Sequence, residues 1–373
     1  MRIGIDAREL CGHPTGVGRY LAGLLREWAA DERARRHEFV LYAPEPIDLN
    51  EVDRPDVRLK ADTTYEVKVI GGRPGVWWEQ VRLPAAARGD HLDLFFAPAY
   101  TAPLMLDVPV VVTIHDLSFV AHPEWFRLRE GVRRRWLTRR AAKQARAVVT
   151  VSEFSRNQVI EHFGIPSDRV HFVPHGGSRP ISGPLRAEPV VLFVGSIFNR
   201  RHVPDLIRAF GRVARAHRDA SLEIVGDNRT HPHQDLARDI ADEALGERVR
   251  WHAYLPEAEL QAMYGRARAF AFLSEYEGFG LTPVEALAAG IPPVVLDTAV
   301  ARETCGDAAL YVPVGDVAAT ATALEQALFD ADVRARILGA APKVLARYSW
   351  PKAARETLAI LERAAGGSAG ASA

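Results

Sequence analysis

The sequence has little cysteine and lacks any long hydrophobic run. Cys11 and Cys305 are the only cysteines in 373 residues, and we expect them in different domains, which argues against a disulfide framework and favours a reducing compartment. No stretch of about twenty apolar residues occurs, as a membrane-spanning helix would need, and no basic patch with a hydrophobic run precedes Arg2–Asp6. These absences predict a cytoplasmic protein.

An excess of charge of one sign is also lacking. Lys and Arg together number 47, and so do Asp and Glu, whereas nucleic-acid binding usually relies on a basic stripe over a basic domain. We therefore expect no nucleic-acid partner. With 48% hydrophobic and 25% charged residues, the chain has the composition of a globular protein that is long enough for two domains.

Short β-branched runs alternate with helical patterns along the chain, which predicts βα units and parallel sheets. We expect a first Rossmann-like domain over 1–175, a linker rich in turn formers over 176–189 and a second Rossmann-like domain over 190–347. A helix over 348–364 should return to the first domain, and the tail 365–373 should be disordered. The expected strands are Arg2–Asp6, 38–42, 93–97, 108–114, 147–151 and 170–173 in the first half, and 190–194, 221–225, 249–252, 269–273, 293–296 and 309–312 in the second.

The segment 275–296 is the most informative part of the sequence. Glu277 precedes a glycine-rich turn with Gly278 and Gly280, and Glu285 follows about one turn inside the next predicted helix. The glycines let the backbone approach a ligand, and the helix N-terminus offers unpaired N–H groups and a positive dipole to an anion. A phosphate on this turn, with a carboxylate reaching hydroxyls on each side, matches the layout of a nucleotide sugar. The donor-binding candidates are Gly278, Phe279, Gly280, Leu281, Thr282 and Glu285.

This string resembles the signature of the retaining glycosyltransferases of the GT-B fold, family 4 of the sequence-based classification. The resemblance implies an α/β architecture of two Rossmann-like parallel-sheet domains that face each other across a cleft. It also implies that Glu277 contacts the transferred sugar and that Glu285 holds the ribose hydroxyls. The members that look most similar transfer mannose from GDP-mannose.

Two loops of the first half carry further candidates. Gly16 and Gly18 lie in the predicted loop Thr15 to Tyr20, which the resemblance places over the donor diphosphate; a plain tight turn is the alternative, and a dinucleotide-binding fingerprint would need a third glycine where Leu21 stands. His115 and Asp116 end an apolar strand at the position where ligands bind in open α/β sheets. The resemblance makes His115 a catalytic residue at the transferred sugar, although a hydrogen-bonded structural histidine is also common at such positions. Asp116 is a candidate donor-binding residue because it follows His115 at the same strand end.

The second half begins with a strand that leads to Arg200 and Arg201. The family pattern has an Arg-Lys pair here, commonly followed by Asn, so this chain departs from it at Arg201 and His202. Adjacent guanidiniums repel each other unless an anion lies between them, and a diphosphate would meet that need. We expect His115, Arg200, Arg201 and Glu277 to be the catalytic residues.

No metal is expected. The pair Asp330 and Asp332 has the spacing of a metal-binding Asp-x-Asp motif, but it lies between two helical patterns, where Asp is an ordinary N-cap. His231 and His233 lack the further Cys or His residues of a ligand set. The arginine pair and the helix N-terminus would stabilise the leaving diphosphate without a cation or any other cofactor. Because the resemblance places Glu277 on the sugar hydroxyls rather than beneath the anomeric carbon, we favour front-face attack, in which a donor phosphate oxygen takes the acceptor's proton.

The acceptor is less defined, and a glycan or a lipid-linked saccharide is expected. The segment 126–146 is basic apart from Glu130 and carries Trp136 and Leu137, so it could contact the inner membrane surface peripherally or form a solvated face. Trp77 and Trp78 could stack on an acceptor sugar or lie in the core. The alternatives to a mannosyltransferase are a glycosyltransferase that uses a UDP-sugar and a non-catalytic nucleotide-sugar-binding subunit of a glycan assembly.

Overall fold

A computed structural model describes residues 1–12, 16–47, 65–177 and 188–366. The chain divides into two compact units. The first unit comprises Met1–Gly176 together with Tyr348–Ala373, and the second comprises Gly177–Arg347. Most of the expected linker and most of the expected disordered tail lie outside the described residues.

The first unit is built on a seven-stranded parallel sheet with the order β3-β2-β1-β4-β5-β6-β7. Both faces of this sheet are covered, which is typical of parallel sheets with near-continuous apolar strands. The strands are β1 (Arg2–Asp6), β2 (Glu38–Ala43), β3 (Tyr65–Val69), β4 (Leu94–Ala97), β5 (Val110–Ile114), β6 (Ala147–Thr150) and β7 (Val170–Phe172).

Helices pack on both sides of the first sheet. They are α1 (Gly16–Ala30), α2 (Leu83–Ala87), α3 (Ser118–Ala121), α4 (Leu128–Gln144), α5 (Glu153–Phe163) and, from the end of the chain, α13 (Trp350–Gly366). A π-helical segment, Trp78–Arg82, precedes α2. Trp28 of α1 donates a hydrogen bond from Nε1 to the carbonyl oxygen of Ala354 at 2.9 Å, and Leu358 and Leu361 are buried in the same cluster. The last helix is therefore part of the first unit's core.

The second unit contains a six-stranded parallel sheet with the order β10-β9-β8-β11-β12-β13. Its strands are β8 (Val190–Val194), β9 (Ser221–Val225), β10 (Val249–His252), β11 (Ala269–Phe272), β12 (Pro293–Leu296) and β13 (Leu310–Val312). Its helices are α6 (Val203–Ala216), α7 (Leu236–Asp242), α8 (Glu257–Arg266), α9 (Leu281–Ala288), α10 (Ala299–Cys305), α11 (Val317–Phe329) and α12 (Ala331–Leu345). All five residues of β8 are buried, as its Val-Val-Leu-Phe-Val sequence predicts.

The predicted α/β fold class, with two Rossmann-like parallel sheets, is confirmed. Every strand expected from the sequence is present, with ends shifted by no more than two residues. Strand β3, which pairs with β2 at one edge of the first sheet and is half exposed, was not predicted from the sequence. Apolar and charged residues alternate in β3, which contains Glu66 and Lys68. It therefore lacks the continuous apolar run from which the other strands were predicted. None of the helices in the described ranges combines the length and the apolar character needed to cross a membrane.

Candidate active site

The candidate site of the second unit lies at the carboxyl ends of β8 and β11. These neighbouring strands run parallel, with Leu192 opposite Phe270, and the strand order reverses between them. Ligands of open α/β sheets bind at such a reversal, beyond the carboxyl ends of the strands. The loop 195–202 follows β8 and the loop 273–280 follows β11, and together these loops carry most of the candidate residues of the second unit.

Glu277 is held through one oxygen of its carboxylate. Its Oε1 accepts a hydrogen bond from Nε of Arg201 at 2.9 Å and another from Oγ of Ser274 at 2.8 Å. Its Oε2 has no hydrogen bond within the part of the chain that the structure describes. The side chain is thus fixed in position by protein donors, while its second oxygen remains able to accept hydrogen bonds from the hydroxyls of a ligand.

The position of Arg201 differs from the sequence expectation. We expected both adjacent guanidiniums on a diphosphate, but Arg201 forms an ion pair with Glu277 and donates from Nη1 to the carbonyl oxygen of Ser196 at 2.7 Å. The guanidinium also lies over the ring of Phe272, at 4.8 Å from the centroid. Repulsion from Arg200 is therefore offset by a carboxylate of the protein, so Arg201 positions Glu277 in this structure.

A glycine at position 195 makes room for this arrangement. Gly195 has a φ of +144°, and a Cβ atom there would lie 2.6 Å from Nη1 of Arg201. Any other residue would be strained and would also push the guanidinium away from Glu277.

Arg200 belongs to the same loop but has a different environment. Its guanidinium lies over the ring of Phe198, at 4.4 Å from the centroid, and its carbonyl oxygen accepts a hydrogen bond from the backbone N–H of Glu275 at 2.9 Å. The backbone bond ties the loop 195–202 to the loop 273–280. Arg200 is therefore the member of the arginine pair that fits contact with an anion.

His202 makes a second connection between the two loops. Its Nδ1 lies 3.0 Å from a carboxylate oxygen of Asp205, and its Nε2 contacts the carboxylate of Glu275. Ionised carboxylates only accept hydrogen bonds, so both contacts favour the doubly protonated, cationic form of the ring. The hydrogen bond to Asp205 is the main cause that raises the pKa of His202, and Glu275 raises it further. The sequence had marked His202 only as a departure from the family pattern.

The N-terminus of α9 has the features of an anion-binding site. Gly280, with a φ of +84°, caps the helix that begins at Leu281, and the first backbone N–H groups have no intrahelical partner. The Oγ1 of Thr282 is buried and has no hydrogen-bond partner among the described residues. Phe279, which we expected to bind the donor, is itself 5% exposed and therefore anchors the turn through its side chain. A phosphate could accept hydrogen bonds from the N–H groups and from Thr282 together.

Glu285 lies one turn inside α9 and is 7% exposed. The hydroxyl of Tyr264, from α8, donates a hydrogen bond to its Oε2 at 3.4 Å. A nearly buried carboxylate one turn behind the anion-binding end of the helix is suited to accept hydrogen bonds from a pair of ligand hydroxyls. Tyr264 was not found from the sequence, because it gave no signal beyond the helical pattern of α8.

In the first unit, His115 follows β5 and is 7% exposed. Its Nε2 donates to the carbonyl oxygen of Pro98 at 2.7 Å, which leaves Nδ1 as the acceptor nitrogen. Burial lowers the pKa of His115, so the ring is neutral at neutral pH. The ring stacks on His175, with the centroids 5.6 Å apart, and Tyr20 lies edge-on to both. A neutral imidazole can still accept a hydrogen bond at Nδ1, but it does not contribute a positive charge.

Asp116, expected to bind the donor, uses both carboxylate oxygens within the protein. Oδ2 accepts a hydrogen bond from the hydroxyl of Tyr100 at 2.8 Å, and Oδ1 accepts from N and Oγ of Ser118 at 2.8 and 2.7 Å. These bonds fix the turn that leads from β5 into α3, so the structure gives Asp116 a positioning role.

The sequence predicted a glycine-containing loop over Thr15 to Tyr20, after β1. From Gly16 onward this segment forms the first turn of α1, so the prediction of a loop was wrong there. Thr15 lies outside the described residues. Gly16 is exposed and Gly18 is buried. The helix extends this far because Leu21, Leu24, Leu25 and Trp28 bury one continuous face. The two glycines therefore offer backbone N–H groups of a helix N-terminus rather than a flexible loop.

Several ambiguous sequence signals have an ordinary structural explanation. Asp330 caps α12, because its Oδ1 accepts hydrogen bonds from the N–H groups of Asp332 and Val333, both at 3.0 Å. In the described ranges, no group of three or more His, Cys, Asp or Glu side chains is arranged to hold a metal ion. Trp78 is 1% exposed and lies in the core, whereas Trp77 is 71% exposed.

Two family models match the chain. The model described as Glycosyltransferase Family 4 matches residues 14–176, and the model described as Glycosyl transferases group 1 matches residues 178–344. Among curated proteins, the chain is 26% identical to the O-antigen chain mannosyltransferase B of Escherichia coli, over 95% of this chain and 98% of that protein. It is 28% identical to the MMP alpha-(1->4)-mannosyltransferase of Mycolicibacterium hassiacum, over 76% of this chain and 73% of that protein.

Solved structures share the fold. The HepE protein of Anabaena, crystallised in complex with UDP and glucose, superposes with a TM-score of 0.76 over 97% of this chain and 100% of that chain, at 19% identity. At that identity the likeness concerns the architecture of the chain alone.

Proposed function

Because the chain belongs to the group 1 glycosyltransferases of the GT-B fold, we propose that it transfers a hexose, with mannose as the best candidate, from a nucleoside-diphosphate sugar with retention of configuration. GDP-mannose is the proposed donor. Two relatives that span most of this chain are named mannosyltransferases, which supports the choice of sugar. UDP-sugars are the competing donors, since the Anabaena protein of the same fold was crystallised with UDP and glucose.

The geometry of Glu277 carries this proposal. Arg201 and Ser274 both contact Oε1 of Glu277, so Oε2 keeps its capacity to accept hydrogen bonds, and Glu277 precedes the helix α9 by four residues. In the proposal, the diphosphate of the donor lies on that helix N-terminus, the sugar hydroxyls bind Oε2 of Glu277, and the ribose hydroxyls bind Glu285. His115 hydrogen-bonds the sugar as a neutral imidazole.

The proposed reaction proceeds on one face of the sugar. An acceptor hydroxyl attacks the anomeric carbon as the bond from that carbon to the phosphate oxygen breaks, and the proton of the hydroxyl passes to an oxygen of the departing phosphate. Arg200, Oγ1 of Thr282 and the N–H groups of α9 stabilise the negative charge that develops on the diphosphate. Since these groups supply the positive charge, we propose that transfer needs no metal ion or other cofactor.

Glu277 is not the nucleophile in this proposal. A carboxylate that is already paired with a guanidinium and a serine hydroxyl is a weaker nucleophile than an unpaired one, and attack would require it to leave both partners. Retention therefore rests on front-face attack rather than on a glycosyl-enzyme intermediate.

The proposed acceptor is a glycan or a lipid-linked saccharide, because one relative is named for the O-antigen chain. Peripheral contact with the inner membrane surface belongs to the same proposal, since a lipid-linked acceptor would be presented there.

A melting-temperature series with GDP, UDP and ADP, alone and as their sugars, tests the donor. A bound nucleotide raises the melting temperature by mass action, and we expect the largest shift from GDP and GDP-mannose. A larger shift with UDP than with GDP would indicate that the donor is a UDP-sugar rather than a GDP-sugar. No shift with any of them would contradict nucleotide-sugar binding altogether.

Hydrolysis of the donor by the purified protein separates an enzyme from a non-catalytic binding subunit. We expect Glu277→Gln to lose most hydrolysis and to keep the melting shift with GDP, because Glu277 contacts the sugar rather than the nucleotide. Glu259→Gln, on the exposed face of α8, is the matched control. Nucleotide binding without any turnover by the unmodified protein would favour the binding subunit.

A further inference from the structure

The side chain of Trp350 packs between two glycines of the first unit. Trp350 is the first residue of α13, and a Cβ atom at Gly23 of α1 would lie 2.5 Å from its six-membered ring. A Cβ atom at Gly176 would lie even closer to its five-membered ring. Packed atoms do not approach each other so closely, so the indole requires glycine at both positions. It thereby explains Gly23, since glycine is less favourable than alanine inside a helix.

The same tryptophan joins the two chain segments of the first unit. The first segment ends at Gly176, and the second begins at Tyr348, two residues before Trp350. Because the indole packs against Gly176, α13 starts at the place where the first segment ends. The last helix is therefore attached to the unit at its first residue as well as along its buried face.

The indole also contacts the imidazole of His175, which precedes Gly176. The rings of Trp350 and His175 meet at 65°, with their centroids 6.1 Å apart. His175 is 7% exposed, and burial is the main cause that lowers its pKa well below the ordinary value. The imidazole of His175 is thus a buried ring, with its neutral form favoured, beside the indole.

His175 in turn packs on His115. The two imidazoles are nearly parallel, at 10°, and their centroids are 5.6 Å apart. Tyr20 lies edge-on to both rings, with its centroid 5.0 Å from each, and its hydroxyl lies 3.3 Å from Oγ1 of Thr113. With one ring on its face and another at its edge, the imidazole of His115 cannot tilt without displacing its neighbours.

Two different contacts therefore fix His115. The hydrogen bond from Nε2 to the carbonyl oxygen of Pro98 selects the tautomer, but a single hydrogen bond leaves the ring free to tilt about its direction. The stack on His175 fixes the plane of the ring. A side chain that acts on a substrate has to be held within roughly 0.5 Å and 10–20° of its productive orientation, so both contacts are needed.

We propose that His175 and Trp350 are positioning residues for His115. The indole, fixed between two glycines, supports the ring of His175, and that ring holds the imidazole of His115 in the plane in which Nδ1 accepts a hydrogen bond from the transferred sugar. Neither positioning residue has to touch the substrate. The kinetic effect rests on the proposed contact of His115 with the sugar, whereas the arrangement of the rings does not depend on it.

Transfer kinetics of single and paired variants test the inference. His175→Ala should lower kcat about tenfold and change the donor KM less than about twofold, because His115 is proposed to contact the sugar and not the nucleotide. In a chain that already carries His115→Ala, the same substitution should cause no further loss, since a residue that acts through His115 has no effect without it. Equal losses in both backgrounds would show that His175 acts independently and would overturn the inference.

Aromatic replacements separate ring contact from general packing. His175→Phe should keep most of kcat, because a phenyl ring can stack on His115 as the imidazole does. Trp350→Phe should lower kcat severalfold. Its matched control is Trp28→Phe, which alters the packing of α1 on α13 and whose ring contacts, among the described residues, are with two phenylalanines. A control as impaired as Trp350→Phe, or a phenylalanine at 175 as impaired as an alanine, would contradict positioning by ring contact.

The titration of the His115 imidazole, followed by NMR, provides a measurement that does not depend on activity. Burial lowers the pKa of His115, so removal of the ring stacked on it should admit water and raise the pKa towards about 6.5 in His175→Ala, but not in Trp28→Phe. The signal is assigned by its loss in His115→Gln. If His175→Ala does not fold, His175→Leu, which fills the space without a flat ring, takes its place.

The two measurements distinguish this inference from the proposed function. An unchanged pKa of His115 in the alanine variant would overturn the positioning role, whether or not the chain transfers a sugar. A raised pKa in a chain that shows no transfer would support the ring arrangement and contradict the proposed function alone.

Discussion

The first six strands of each sheet follow the same order, but different interactions hold the residues beyond the strand ends in the two units. In the second unit, two charged pairs connect the loops after β8 and β11, Arg201 with Glu277 and His202 with Glu275. In the first unit, the residue after β5 is enclosed by neutral rings, with His115 stacked on His175 and Tyr20 edge-on to both.

This difference agrees with the proposed function. Positive charge and a helix N-terminus would stabilise a diphosphate, and Glu277 holds the guanidinium of Arg201 in place. The neutral groups around His115 suit hydrogen bonds to uncharged hydroxyls, which is the contact proposed for this histidine. Burial lowers the pKa of His115, whereas the carboxylates around His202 raise its pKa.

The largest expected effect comes from removing the guanidinium that fits contact with the diphosphate. Arg200→Ala should lower kcat by about a hundredfold or more, comparable to the loss of one oxyanion donor. Steady-state transfer kinetics measure this, with Arg212→Ala on the exposed face of α6 as the control. Transfer should also persist in excess chelator. Activity that chelation abolishes and Mg²⁺ restores would mean that a metal ion, and not Arg200, supplies the charge.

Removing the carboxylate inside α9 should have the next largest effect. Glu285→Ala should weaken binding of the nucleoside diphosphate by roughly 1 to 3 kcal/mol, the usual loss for a hydrogen bond to a charged group. Calorimetric titration measures the affinity, and Glu259→Ala provides an exposed control. Equal affinities for the variant and the original chain would remove Glu285 from the nucleotide site.

A smaller change tests whether the position of the Arg201 guanidinium affects stability and kcat. Gly195→Ala places a methyl group against Nη1 of Arg201 at a positive φ, and we expect a loss of about 1 to 3 kcal/mol in stability and a lower kcat. Gly265→Ala is the matched control, because a Cβ at this helical position of α8 meets no other atom within 4 Å. If both substitutions behave alike in thermal unfolding, the close approach at Gly195 has no energetic consequence.

The smallest effects are pH dependences of opposite sign. The pKa of His202 is raised in the fold, so its ion pairs contribute stability that is fully present below the unfolded pKa of about 6.5 and is lost as the pH rises through the folded pKa. We expect His202→Gln to lower the free energy of unfolding by less than about 1 kcal/mol, as is usual for partly exposed ion pairs. This loss should appear mainly on the acidic side of neutral pH. Unfolding free energies of both proteins across neutral pH measure the difference.

His115 should show the reverse dependence. Burial lowers its pKa, so the stability contributed by the neutral ring is fully present above about pH 6.5 and falls as the pH drops towards the folded pKa, because the unfolded chain then binds more protons. His115→Gln, which removes the titrating group, should reduce the loss of stability between neutral and mildly acidic pH. Parallel pH profiles for the His202 and His115 variants would mean that the contrast between the two regions has no effect on their electrostatics.

The sequence alone determined the fold class and the location of a turn with the features of an anion-binding site. Apolar strand runs such as Val190–Val194 reveal buried parallel strands directly, because such strands are covered on both faces. Glycines and a helix start between Glu277 and Glu285 likewise define an anion-binding turn from local chemistry. What the sequence could not identify was the edge strand β3, whose charged residues interrupt the apolar pattern.

Only the tertiary structure decided which partner each charged side chain takes. The sequence placed Arg201 beside Arg200, but the side chain reaches Glu277 from another loop, because β8 and β11 are neighbours in the sheet. The tertiary structure likewise brings Asp116 into hydrogen-bonding contact with Tyr100, and it lets His202 connect two loops. Ion pairs and hydrogen bonds depend on distances of a few ångströms between residues far apart in the chain, and local patterns do not contain those distances.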